Sequence, residues 1–137
     1  RKVVPHMTKD GILNPDLCDA IARCGHMDFF VIADAGLPLP EGVRVVDLSL
    51  VRGIPSFLDT LSAVLKQLVV ESFVLADQME QENRVCYDGA MKLLGDLPHR
   101  TFSHQQLKEV TKKATVIVRT GEATSYANVV LVCGVNF

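Results

Sequence analysis

Six side chains in this 137-residue sequence have the types and spacings for proton transfer and hydroxyl binding. His26 lies between a helix stop at Gly25 and the apolar run Phe29–Ala33, which places it on a loop. An imidazole titrates near neutral pH, so it can both donate and accept a proton there. Asp34 follows the apolar run directly. In a doubly wound sheet, ligands bind outside the carboxyl ends of the strands, and Asp34 stands at such an end. It could equally serve its own turn with Gly36, because aspartate favours turns. His104 and Lys108 are four residues apart, which puts them on one face of a helix. In the first helical turn the dipole would disfavour a charged His104, leaving a neutral ring to bond a hydroxyl. An ordinary wet helix surface would show the same spacing. Tyr126 and Asn128, on either side of Ala127, place a phenol and an amide on one face of a strand, for a ligand or for cross-strand packing. Arg119 and Glu122 flank Gly121 and could pair across a turn.

These residues need elements to hold them. Asn14-Pro15 is a helix start, with Asn as cap and Pro in the first turn; Leu17, Cys18, Ile21 and Ala22 recur at helical spacing, and Gly25 supplies the stop. Phe29–Ala33 reads as a strand covered on both faces, and Arg44–Leu48 as a second strand. Pro55-Ser56 opens a helix whose apolar stripe is Phe57, Leu61, Val64, Leu65 and Leu68. Ser72–Ala76 is a strand, Gln78–Leu94 is polar and then helical, and His99–Phe102 is a short strand. Ser103 with Gln106 matches a capping box, so a helix begins near His104. Thr115–Arg119 and Asn128–Val132 are strands joined by a short connection, which calls for some antiparallel pairing. Alternating strands and helices define an α/β protein.

Composition bounds the function. The net charge is −2, 48% of residues are hydrophobic and 22% charged, which is ordinary globular chemistry and lacks the basic excess of a nucleic-acid protein. No apolar run reaches the roughly 20 residues of a membrane-spanning helix. The expected domain is a single unit over residues 7–137, with residues 1–6 a vector-derived or upstream extension before Met7. Cys18, Cys24, Cys86 and Cys133 lack metal-site spacing and are expected to be reduced thiols of a cytoplasmic protein. Asp77, Glu80 and Glu82 read as a solvated helix start rather than a metal site. No Gly-rich phosphate loop, nucleophile elbow or zinc-protease pattern occurs.

Several stretches occur together in order. They are Gly11–Asn14, Gly25-His26-Met27-Asp28, Ala33–Pro38, Gly53–Phe57, Arg119–Glu122, Tyr126-Ala127-Asn128 and Gly134–Phe137. With them the chain resembles the ribose pyranase/fucose mutarotase family from Met7 to Phe137, more its ribose branch than its fucose branch, where a DAHFP-like stretch replaces Asp34–Pro38. The resemblance implies interconversion of the pyranose and furanose forms of D-ribose, without cofactor or metal, to supply the furanose to a kinase. It implies His26 as proton donor, with Asp34, His104, Lys108, Tyr126, Ala127 and Asn128 binding the sugar. It also implies a three-layer α/β/α sandwich with a mixed, mainly parallel sheet. The expected assembly is a ring-shaped homo-oligomer, a decamer of two stacked pentamers, with the sugar near a subunit interface. A mutarotase for fucose or another sugar, or a non-catalytic sugar-binding accessory of a transport system, would use the same hydroxyl-binding residues.

Overall fold

Alternation along the strands sorts the apolar side chains onto two faces of one sheet in the computed structural model, which describes residues 9–137. The expected start at Met7 and extension 1–6 lie outside the described residues. The elements are α1 (Pro15–Arg23), β1 (Phe29–Ala33), β2 (Arg44–Asp47), α2 (Phe57–Leu65), β3 (Val70–Ala76), α3 (Met79–Glu82), α4 (Arg84–Leu94), β4 (His99–Phe102), α5 (His104–Thr111), β5 (Val116–Arg119) and β6 (Val129–Cys133). Phe30, Ile32, Phe73, Leu75, Val116, Val118, Val129 and Leu131 point to one face, where Leu17, Phe57, Leu61, Val64, Ala90 and Leu94 of the helices cover them. Val31, Ala33, Ile117 and Val130 point to the other, under Leu107 of α5. The result is the expected three-layer arrangement. Phe30, Phe57 and Phe73 are fully buried, and each such side chain stabilises the fold by roughly 1.5–3 kcal/mol.

Helix starts follow the local chemistry. Leu17 N–H donates to Asn14 Oδ1 (2.9 Å), Asp59 N–H to Ser56 Oγ (3.0 Å) and Cys86 N–H to Asn83 Oδ1 (3.4 Å). The capping box before α5 is complete: Gln106 N–H donates to Ser103 Oγ (3.1 Å), and Ser103 N–H to Gln106 Oε1 (2.9 Å). Each such cap is worth about 1 kcal/mol. Helix α1 ends at Cys24 rather than at Gly25, because Cys24 turns to extended backbone while its N–H still reaches Ile21 O.

The strand order is β2-β5-β1-β6-β3-β4. Strands β1 and β5, β2 and β5, and β3 and β4 pair parallel, while β6 is antiparallel to both β1 and β3. The antiparallel pairing inferred from a β5–β6 hairpin therefore exists, but not as a hairpin. Strand β1 lies between β5 and β6, and the connection through residues 120–128 crosses its end. Five strands run one way and β6 the other. The carboxyl ends of β1, β2 and β5 thus share one edge with the entry into β6.

The loop after β2 docks onto that edge through Gly121. Its N–H donates to Pro55 O (2.8 Å), and Gly53 N–H donates to Gly121 O (2.6 Å). A Cβ at Gly121 would overlap the backbone carbonyls of Ile54 and Val51. Gly121→Ala is expected to lower stability by about 1–3 kcal/mol, read as a lower urea midpoint at unchanged slope.

Candidate active site

A cavity of about 710 Å³ opens at this edge, lined by the turns after β1, β2 and β5 and by the start of α5. Asp34 stands in its floor at 8% exposure. Its backbone N–H donates to Asn128 Oδ1 (2.8 Å), and Asn128 Nδ2 donates back to Asp34 Oδ2 (3.2 Å). Gly36 N–H donates to Asp34 Oδ1 (3.0 Å), so the turn function foreseen for Asp34 is present beside its place in the cavity. Burial raises the Asp34 pKa above the usual carboxylate value, against the hydrogen bonds from Gly36, Asn128 and Leu37 and the nearby His104. A carboxylate so placed holds a proton more readily than one in water.

His104 is the first residue of α5 and lines the cavity. Its N–H donates to Gln78 Oε1 (3.2 Å), and its ring meets the Tyr126 ring edge-on at 5.1 Å. His104 Nδ1 is buried without a hydrogen-bond partner. Burial first, then the positive charge of Lys108, holds the His104 pKa below the histidine value, while Asp34 opposes them. The neutral ring expected from its helix position is thus favoured, mainly by desolvation. Lys108, one turn along α5, does not line the cavity and acts on His104 through its charge.

The remaining site residues divide. Tyr126 lines the cavity, but not on a strand face: β6 begins at Val129, and Tyr126 has φ +62°. That left-handed conformation costs roughly 1–2 kcal/mol for a residue with a Cβ. Asn128 N–H closes the turn onto Tyr126 O (2.9 Å). Asn128 is fully buried behind Asp34, and Ala127 is fully buried in the core. Neither lines the cavity, so Asn128 acts on it through Asp34. His26 lies at the other edge of the sheet, before β1, a strand length of roughly 17 Å from Asp34. Its Nε2 is 3.2 Å from Glu71 Oε2, and it lines a second cavity of about 340 Å³ with Cys24, Val69, Cys133 and Phe137. Within one chain the carboxylate facing His26 is therefore Glu71, not Asp34.

Arg119 and Glu122 both line the cavity but do not pair. Arg119 donates to Ala35 O (2.8 Å), Asp47 Oδ2 (3.0 Å) and Ser49 Oγ (3.3 Å). Bonds from Ser49 and then Arg119 hold the Asp47 carboxyl below its usual value. Glu122 Oε1 accepts Phe57 N–H (3.0 Å) at the start of α2. The lining residues Ser49, Leu50, Val51 and Arg52 were not foreseen, because nothing in their sequence tells which strand ends the fold will bring together. Among the described residues no group of three His, Cys, Asp or Glu side chains could hold a metal ion.

The signature of the RbsD / FucU transport protein family matches residues 7–136. The chain belongs to this family. Among its relatives are proteins named D-ribose pyranase from Geobacillus thermodenitrificans and Symbiobacterium thermophilum. Each is 47% identical over 96% of this chain, covering 99% and 100% of the relative. The structure of Bacillus subtilis RbsD complexed with D-ribose superposes with a TM-score of 0.91 at 41% identity, covering 96% of this chain and all of that one. The fucose mutarotase of Streptococcus pneumoniae in complex with L-fucose shares the fold, with a TM-score of 0.79 at 23% identity over 98% of this chain and 100% of that one.

The electrostatics of this family member's cavity make a checkable statement. Because the folded His104 pKa lies below its unfolded value of 6.5, the stability it contributes is full above that value and is lost as pH falls through the folded one. Followed by proton NMR, the His104 ring should titrate below 6.5, rise in Lys108→Met and fall in Asp34→Asn. An unmoved titration in Lys108→Met would remove the coupling.

Proposed function

We propose that this chain is a D-ribose pyranase, an isomerase that converts the pyranose and furanose forms of D-ribose into each other. The observation that carries the reading is the likeness, over nearly the whole chain, to D-ribose pyranases and to an RbsD complexed with D-ribose. The cavity supports it: a buried carboxylate, an imidazole of lowered proton affinity and a phenol surround space ample for a pentose.

Ring opening moves two protons. One leaves the anomeric hydroxyl and one reaches the ring oxygen, giving the open-chain aldehyde. Rotation and attack by a different hydroxyl close the other ring, and the protons return. No charge accumulates, so positioned acids and bases suffice, contributing about 10²- to 10⁴-fold. In this reading Asp34, with its raised proton affinity, accepts from a sugar hydroxyl. His104, its proton affinity lowered by burial and then by the charge of Lys108, and the Tyr126 phenol hold others.

His26 is the proton donor of the reading, and a second copy of the chain brings it to the cavity. Exposed Leu50, Val51 and Ile54 rim the cavity edge, and exposed Met27, Val69, Val135 and Phe137 surround the His26 edge. Two different apolar patches favour head-to-tail association, which closes into a ring when the rotation allows. We take that ring to be the unit of the decamer, with each site built from two neighbours. The four free cysteines fit a reducing compartment, and we place the reaction in the cytoplasm.

Saturation-transfer NMR on D-ribose should show faster exchange between pyranose and furanose signals when the protein is added. No acceleration at any pH, or exchange between anomers only, would overturn the reading. His26→Ala should lose about 10²- to 10⁴-fold in exchange and still bind ribose. Mixing His26→Ala with Asp34→Ala under subunit exchange should restore part of the activity, since some interfaces then join an intact His26 to an intact Asp34. A mixture as inactive as its parts would refute the shared site.

A further inference from the structure

The left-handed backbone of Tyr126 is held from both sides. The peptide that follows it is pinned by Asn128 N–H on Tyr126 O (2.9 Å). The peptide that precedes it is pinned at Ser125 O, which accepts from Asn83 Nδ2 (2.7 Å). The first peptide plane sets ψ at Tyr126 and the second sets φ. A strained backbone conformation of this kind persists where the surroundings over-determine it. Asn83 is 9% exposed and stands between α3 and α4, remote in sequence from the loop it grips. Its Nδ2 also donates to Thr124 Oγ1 (2.8 Å). Thr124 Oγ1 donates to Glu122 Oε2 (2.7 Å), and Glu122 Oε1 takes Phe57 N–H (3.0 Å). One line of hydrogen bonds thus runs from the start of α4 to the start of α2 beneath the loop that carries Tyr126.

We infer that Asn83 is a positioning residue for the sugar site: through the Ser125 carbonyl and the Thr124 hydroxyl it holds Tyr126 against His104 at the cavity. The inference rests on the reading of that cavity as the ribose site. Asn83 does not line the cavity and acts only through the loop. Its side chain has two jobs that can be separated. Oδ1 caps α4 by accepting Cys86 N–H, while Nδ2 grips the loop. Asp at this position keeps a cap acceptor and loses both donors, setting a carboxylate against the Ser125 carbonyl.

Asn83→Asp should therefore stay folded with a lowered thermal midpoint, raise the KM for ribose about tenfold and leave kcat within about threefold, the signature of lost binding rather than lost chemistry. The backbone carbon shifts of Tyr126 should leave their left-handed values. Thr124 is exposed and itself lines the cavity, so Thr124→Val tests the same line where folding is not at risk, with the Tyr126 backbone shifts as the readout that a direct sugar contact would not move. It should raise KM in the same direction, and Thr124→Ser, which keeps the hydroxyl, should restore it. Native KM and unmoved Tyr126 shifts in Asn83→Asp would overturn the inference, as would equal impairment in Thr124→Val and Thr124→Ser. If the wild-type protein failed to accelerate ribose exchange, the functional reading would fall, and the Tyr126 shifts would still decide whether Asn83 holds the loop.

Discussion

The reciprocal bonds between Asp34 and Asn128 join the carboxyl end of β1 to the entry into β6, and the cavity edge is organised around them. Burial of a carboxylate is costly unless its oxygens are hydrogen-bonded, and both oxygens of Asp34 find donors. The amide of Asn128 suits this task because it accepts and donates at once, taking the Asp34 N–H and returning a hydrogen to the side chain. Asn128 also closes the turn that puts Tyr126 in the cavity. One buried asparagine thus sets the carboxylate through its side chain and constrains the phenol through its backbone N–H. Loss of either partner would leave a buried polar group unpaired, which costs more than the net value of the bonds.

The turns after β1 and β5 are woven together by backbone groups as much as by side chains. Ala35 N–H donates to Glu122 O (2.8 Å), and Arg119 donates to Ala35 O, so the peptides on both sides of Ala35 are held. Thr120 Oγ1 donates to Ala33 O (2.8 Å) and accepts Glu122 N–H (3.1 Å). These bonds lie at the ends of two largely buried strands, β1 and β5. A site that must hold several hydroxyls at once depends on such rigidity, because misplacement by about 1 Å removes much of the advantage of positioning.

Strand direction separates His26 from the residues of the larger cavity. It precedes β1 and Asp34 follows it, so an extended strand of five residues must lie between them. No local rearrangement brings the two together within one chain. Exposed apolar residues lie at both edges.

Much of this was legible in local sequence. Strand β1 falls on Phe29–Ala33 as its continuous apolar run required, and β4 on His99–Phe102. The Asn14, Ser56 and Ser103 caps form, because a cap depends on residues within one turn of itself. Asp34, His104 and Tyr126 line one cavity. Other features were decided only by tertiary structure. The place of β6 between β1 and β3, the separation of Arg119 from Glu122, the burial of Ala127 and Asn128 behind the site, and the grip of Asn83 on Ser125 all join residues far apart in sequence. Residue types and short-range spacing determine which groups can transfer a proton and which helices and strands can form. Which strand ends share an edge depends on how the sheet is ordered, and that order comes from burying both of its faces at once.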